Sequence, residues 1–491
     1  MVPVNRLPVE ILQRIPSSPP YVCSIITISH VCRYWRAAFL SYPDLWAFLQ
    51  CRSKRATRAF LQRSQSAPLY ICIRPGYSTG AFGYTIAHTQ RWASLDVMVP
   101  RREIDTVLAA LSGPGPAPKL YNLTIIPIRY DGNMVTSNGD ILGGATPSLR
   151  RLSLSNLKFD IHQLTIPNLT HLSLTSTRTK FVTMTVLLNF LERSPLLEGF
   201  ELHYPCPSGD IAHPEHVVSL KHLRRIILWH TSSKFLNHLV LPDGIECELN
   251  VFSTDSSATT GFLEEMTGEP LERLKPVFQA ESLSIVPDHD HGSVRFLGPS
   301  GFVEIVPEFF TKGTPIARFI TYPPSVLKNI KNLFVGSRFG AIPGWKPTDV
   351  REHLDRMASL ESLTIMRCNN ASFMQALLPA EGKVPCPTLK DLTIYIRPTE
   401  ETSIPAFRSM VEQRRLHGHK FEKMVLVLSG EHRIHPAIPN LEVKVDDREL
   451  LWDRKKKLWR YPDEGEAHWE DDRSPGIMPI DPRIPTVHPT V

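Results

Sequence analysis

The chain is short of the residue patterns that usually carry chemistry. None of its eight cysteines stands in a CxxC pair, which excludes the common zinc and thioredoxin-type spacings. HExxH and a Gly-rich phosphate loop are both missing, so metalloprotease and nucleotide-binding signatures go too. No apolar run approaches the roughly 18–20 residues of a membrane span. Met1 is not followed by a charged and then apolar leader, so we expect reduced thiols in the cytosol or nucleus. The sequons Asn122-Leu-Thr, Asn168-Leu-Thr and Asn370-Ala-Ser are then chance matches.

Glycine is sparse, 26 of 491 residues, and proline abundant, 43 of 491, against averages of about 7% and 5%. A hydrophobic content of 42% argues against disorder, so the prolines read as punctuation between many short structured segments. The length predicts about three domains, or fewer if one is a repeat array. Lys and Arg exceed Asp and Glu by 55 to 49. Spread evenly, an excess of six is too dilute to predict a nucleic-acid partner.

The first fifty residues form a helical module. Leu7-Pro8 leads into a short segment with apolar residues at 11, 12 and 15, which fits a helix with Pro8 in its first turn. After the break Pro16-Ser-Ser-Pro-Pro20, the stretch Tyr21 to Phe39 puts Ile25, Ile28, Cys32, Trp35 and Phe39 at steps of three and four. That spacing predicts one continuous helix with a single apolar face. The turn Ser41-Tyr-Pro-Asp-Leu-Trp46 adds a second large anchor. So small a segment has to pack on the rest of the chain or on a partner.

LPVEIL at positions 7–12, Ile15, VCRYWR at 31–36 and YPDLW at 42–46 together resemble the F-box, over about a tenth of the chain. The resemblance implies a three-helix module that docks on the Skp-type adaptor of SCF (Skp-cullin-F-box) ubiquitin ligases through Leu7, Pro8, Ile11, Leu12, Val31, Cys32 and Trp35. The Pro16 to Pro20 break departs from the family pattern, which carries bulky apolar residues there. This departure keeps a second reading open, in which the segment is only a helical cap on the next domain.

Ser53 to Ser64 reads as a linker helix with Ala56, Ala59 and Phe60 inward and Lys54, Arg55, Arg58 and Arg63 on a solvated side. Beyond it one pattern recurs, as in Leu120-x-x-Leu123-x-Ile125, Leu149-x-x-Leu152-x-Leu154, Leu169-x-x-Leu172-x-Leu174 and Leu197-x-x-Phe200-x-Leu202. Leu223-x-x-Ile226-x-Leu228 continues it, and Ile330, Leu360, Leu389 and Phe421 open later copies. The last two apolar positions alternate as a half-buried strand requires, and the first closes the turn into it. Thr183 to Arg193 suits a helix packing behind the strands through Val186, Leu187, Phe190 and Leu191. The spacing is that of irregular leucine-rich repeats, although the Asn that would ladder the turns is mostly missing.

The expected fold class is therefore α/β: an F-box-like module (1–50), a linker helix (51–66), and a solenoid with a curved parallel sheet (67–450). It carries a hairpin insertion around 288–306, and residues 451–491 form a basic, then acidic and Pro-rich tail that is expected to be disordered. Asp288-His-Asp-His-Gly292 reads as a solvated loop rather than a metal site, and Asp453 to Arg460 as a short basic cluster. Gly76-Tyr-Ser-Thr-Gly80 matches a serine-hydrolase elbow, but Pro75 stands between it and the preceding strand. We expect no enzyme, cofactor, metal, nucleic acid or membrane. The expected partners are the adaptor, its cullin scaffold and an unidentified target; the alternative is a repeat scaffold without ligase assembly.

Overall fold

The computed structural model describes residues 8–9, 11, 22–77, 79–112, 116–128, 135–136, 146–158, 166–175, 183–203, 216–229, 233–251, 275–286, 293–307, 324–336, 346–366, 370–380, 382–396, 403–428, 441–445, 451–453 and 458–460. The chain is mixed α/β and divides into two compact units, Met1–Leu223 with Ser474–Val491, and Arg224–Arg473. This division falls inside the span expected to be a single array.

In the first unit, helices α1 (Val22–Ser29) and α2 (Arg33–Leu40) are followed by a 3-10 turn at Pro43–Trp46, strand β1 (Phe48–Gln50) and helix α3 (Lys54–Arg63). Strands β2 (Leu69–Ile73), β3 (Trp92–Pro100), β4 (Asn122–Ile128), β5 (Arg151–Ser155), β6 (His171–Thr175) and β7 (Gly199–His203) then add in chain order, each parallel to the one before. Helix α4 (Arg101–Ser112) separates β3 from β4, and α5 (Met184–Glu192) separates β6 from β7. Thr183 caps α5 by accepting the Val186 N–H, and Val186, Leu187, Phe190 and Leu191 are buried as the pattern requires.

Register explains the repeat. Leu95, Leu123, Leu152, Leu172 and Phe200 stand opposite one another across β3 to β7, with Val97, Ile125, Leu154, Leu174 and Leu202 forming the next row. All ten are buried. The first apolar residue of each copy closes the entering turn: Leu120 donates its N–H to the Ala117 carbonyl (3.1 Å), Leu149 to Thr146 (3.0 Å), Leu169 to Ile166 (3.3 Å) and Leu197 to Ser194 (3.2 Å). The carbonyl of the next residue then accepts two N–H groups from the following copy. Arg150 accepts from Thr170 and His171 (2.8 and 2.9 Å), and Thr170 from Glu198 and Gly199 (2.7 and 2.9 Å). Main-chain acceptors thus do what an Asn side-chain ladder would.

The second unit repeats the device. Its strands are β8 (Arg225–Trp229), β9 (Ile245–Val251), β10 (Ser282–Val286), β11 (Ser293–Gly298), β12 (Gly301–Pro307), β13 (Asn332–Gly336), β14 (Ser362–Met366), β15 (Asp391–Ile396), β16 (Lys423–Leu428) and β17 (Leu441–Val445), with helices α6 (Pro347–Arg356), α7 (Asn370–Ala376) and α8 (Ser403–Leu416) between later strands. Leu283, Leu333, Leu363, Leu392 and Met424 form one ladder. Lys331, Glu361 and Lys390 carbonyls each accept twice from the next copy (2.8–3.2 Å).

The expected hairpin forms, β11 and β12 pairing antiparallel about the turn between Gly298 and Gly301. Its strands β11 and β12 are not an appendage to the array but members of the sheet. β12 lies parallel to β9, β11 lies antiparallel to both β12 and β10, and β10 resumes parallel pairing with β13. Gly301 makes the splice possible: its φ is +129°, and a Cβ there would strike the Ile245 carbonyl oxygen. Residues 451–453 and 458–460, assigned to the tail by sequence, pair as a short antiparallel ladder; the tail beyond 460 lies outside the described residues.

Candidate docking surface

The apolar face expected to run unbroken from Ile25 to Phe39 is divided between two helices. The N–H groups of His30 and Val31 close on the Thr27 and Ile28 carbonyls (3.0 and 3.1 Å), ending α1. Cys32 then sits in extended conformation as the N-cap of α2, its Sγ accepting the Trp35 N–H at 3.5 Å. β-branched Ile26-Thr-Ile28 disfavours a long helix, and a cap residue at position 32 starts a new one.

Of the seven residues expected to dock, three face solvent or border it: Pro8 is exposed, Ile11 is 46% exposed and Val31 is 56% exposed. Ile11 donates its N–H to the Pro8 carbonyl at 3.1 Å, a helical turn where the leucine-proline step predicts one. Cys32 is half-buried in its capping role. Trp35 turns inward, 7% exposed, its ring stacked on Phe39 at a centroid distance of 6.2 Å; its indole N–H has no acceptor. Leu7 and Leu12 lie outside the described residues. The sequence reading missed Ile26, Tyr34, Leu40 and Tyr42, large apolar side chains also exposed on this module.

The second anchor is internal. Trp46 is fully buried and donates its indole N–H to the Phe39 carbonyl at 2.8 Å. Phe60 of α3 meets its ring edge-on, and Arg63 lies over it with Cζ 4.3 Å from the centroid. On α3 the buried positions are Thr57, Phe60 and Leu61, with Ala56 and Ala59 only half-buried. Two of the arginines expected on its solvated side are held by aromatics. Arg58 lies 4.2 Å over the Tyr84 ring and donates to its hydroxyl at 2.7 Å.

In the first unit, register aligns Gln50, Cys72, Asp96, Thr124, Ser153, Ser173 and Glu201. Asp96 holds Arg74 through two bonds of 2.6 and 3.0 Å, and this ion pair keeps the guanidinium charged against the opposing effect of burial. In the second unit Arg295 grips Glu304 on the neighbouring strand at 2.6 Å. Burial pushes the Cys51 thiol up to about 12, Cys72 to about 11 and Cys386 to about 12, and raises Cys247 further. These four are protonated at neutral pH and poor nucleophiles.

Ser78 and Asp288 to Gly292 lie outside the described residues, although a one-turn helix does begin at Thr79. Among the described residues, no group of three His, Cys, Asp or Glu is placed to hold a metal, and no helix is long and apolar enough to cross a membrane. No protein-family model matches the chain, and no curated protein does.

Proposed function

We propose that this protein is the substrate-recognition subunit of an SCF-type ubiquitin ligase, docking on the Skp-type adaptor and its cullin through an F-box and holding a target on irregular leucine-rich repeats. The observation that carries the reading is that the F-box pattern falls on a module with large apolar side chains in solvent: Ile11, Val31 and Tyr34 belong to the pattern and Ile26 lies on α1 between its parts, and all four are exposed. Such a cluster on an otherwise well-packed module is what a partner buries. The target would be held by the outward strand rows, and the chain would act by positioning alone, bringing target lysines near a ubiquitin-carrying enzyme. The reading implies a cytosolic or nuclear site of action.

Co-purification of the full chain with the adaptor tests this. Val31→Asp with Tyr34→Ala changes exposed side chains, circular dichroism checks that the fold is kept, and recovery of adaptor should fall at least about tenfold. Undiminished recovery refutes the docking surface. A second reading, a repeat scaffold whose first helices are a cap, is favoured by the inward burial of Trp35 and Trp46 and by β1 entering the sheet two residues after Trp46. It predicts neither adaptor nor cullin in the eluate.

A further inference from the structure

The excess of positive charge, too dilute for a nucleic-acid partner if spread evenly, is not spread evenly. Between Asp44 and Asp96 the chain has no Asp or Glu at all, and it has Arg52, Lys54, Arg55, Arg58, Arg63, Arg74 and Arg91. These seven exceed the whole excess of six, so the rest of the chain carries no net positive charge. Two of them serve the fold. Asp96 holds Arg74. Arg91 donates to the Ser64 hydroxyl (2.7 Å) and to the Ser64 and Ala67 carbonyls (3.2 and 3.0 Å), which fastens the end of α3 to the 3-10 helix Gly83–Arg91. The other five are exposed, on α3 or in the turn before it.

Three of the five are held against aromatic rings. Arg58 lies over Tyr84 of the 3-10 helix, Arg63 over Trp46, and Arg52 over Tyr77 with Cζ 5.4 Å from the centroid. A ring face fixes a guanidinium without neutralising it. Arg58 spends only one of its five N–H donors on the Tyr84 hydroxyl. Among the described residues Lys54, Arg55, Arg58 and Arg63 form no ion pair with a carboxylate. Arg55, Arg58 and Gln62 recur at steps of three and four, so they share one exposed face of α3. On this helix the only apolar side chains that are not buried are Ala56 and Ala59.

We propose that α3 and the 3-10 helix beside it form a docking surface for the phosphate backbone of a double-stranded nucleic acid, bound without regard to sequence. Guanidiniums fixed in place and left uncompensated suit a regular array of phosphates. The helix offers no large aliphatic side chain of the kind that a protein interface buries at its centre or a membrane surface takes up. Single strands are gripped by stacking bases on open rings, whereas Arg58 already covers the ring of Tyr84. The inference is independent of the ligase reading, because it uses neither α1 and α2 nor the outward strand rows.

The experiment measures binding of the full chain to a fluorescein-labelled 20-base-pair DNA duplex by anisotropy, between about 50 and 200 mM salt. Four or five cations displacing counterions give a slope of log K against log salt of about −4, so affinity should fall at least about a hundredfold over that range. Duplexes of unrelated sequence should bind alike within about threefold. Arg55→Gln with Arg58→Gln should lower affinity at least about tenfold at low salt and flatten the slope by about two, with circular dichroism unaltered. Lys54→Gln with Arg55→Gln, which leaves the Tyr84 contact in place, should flatten the slope equally. No binding at 50 mM salt, or a slope unchanged in both double variants, overturns the proposal. Binding at least tenfold tighter to poly-L-glutamate overturns it in favour of an acidic protein, and to phosphatidylserine vesicles in favour of a membrane. Adaptor co-purification, run on the same chains, reports on the ligase reading alone.

Discussion

The indole of Trp46 meets the ring of Phe60 edge-on, centroids 5.0 Å apart and planes at 73°. This contact ties the helical module to the first helix of the sheet region, because the same indole is bonded to Phe39 at the end of α2. Trp46→Ala removes a fully buried aromatic, takes the shorter of its donors from the Phe39 carbonyl, which keeps the Tyr42 N–H at 3.4 Å, and vacates the stacking site of Arg63. We expect a loss of about 3–5 kcal/mol, read as a shift of the urea midpoint at unchanged slope. Trp46→Phe should recover much of that. A loss below about 1 kcal/mol for the alanine variant would show that the module is not held through this residue.

Arg414 is a buried cation whose partners are backbone carbonyls. Its guanidinium donates to Leu377 (3.3 Å), Pro385 (2.7 Å) and Cys386 (3.0 Å) and packs against Phe421. Burial lowers its pKa from the usual arginine value, the direction expected of a cation with little countercharge. The fork is what the site uses, so Arg414→Lys cannot reach all three acceptors. The lysine variant should lose about 2–4 kcal/mol from acceptors left unpaired in a buried site, and Arg414→Met no less. Thermal melting compares the two directly; a lysine variant melting with the parent would reject the role of the fork.

Alkaline pH should destabilise the fold through its thiols. Cys51, Cys72 and Cys386 have folded pKa values raised from 9.0 to about 12, 11 and 12, chiefly by burial. A raised folded pKa means that the folded chain keeps its proton longer than the unfolded one. Their stabilising effect is therefore complete below pH 9 and is lost as pH rises from 9 toward 11–12. Urea midpoints should be flat in this respect between pH 7 and 8.5 and fall above 9, less steeply in Cys51→Ala. Alkylation by iodoacetamide at pH 8 should be slow at all three sites in the folded chain and fast in urea.

What could be read from the sequence was whatever depends on side-chain period. Leu123, Leu152 and Leu172 announce a ladder because strand geometry repeats every two residues and each copy must fill the same core. The acceptor row at Arg150, Thr170, Glu361 and Lys390 is main chain, so no residue type marks it. Pairing of β12 with β9 joins residues far apart in sequence, and alternation in a strand does not say which neighbour it takes. At the docking surface, Ile25 to Phe39 kept helical spacing across a break that only the Cys32 cap reveals. The inward turn of Trp35 and Trp46 was hidden for a related reason: a tryptophan that anchors a partner and one that anchors its own core look alike in sequence.

The cations that open α2 and α3 stand at unfavourable positions for folding. Arg33 and Lys54 occupy the first positions of α2 and α3, where the helix end is positive. Arg33→Glu or Lys54→Glu replaces an unfavourable charge–dipole contact with a favourable one, and each should stabilise the isolated chain by about 0.5–1 kcal/mol at low salt. The gain should shrink as salt screens it, and Arg33→Gln should give about half. Differential scanning calorimetry of the free chain measures the change in each variant. If Arg33→Glu lowers the melting temperature, the cation at that position is holding the fold rather than opposing it.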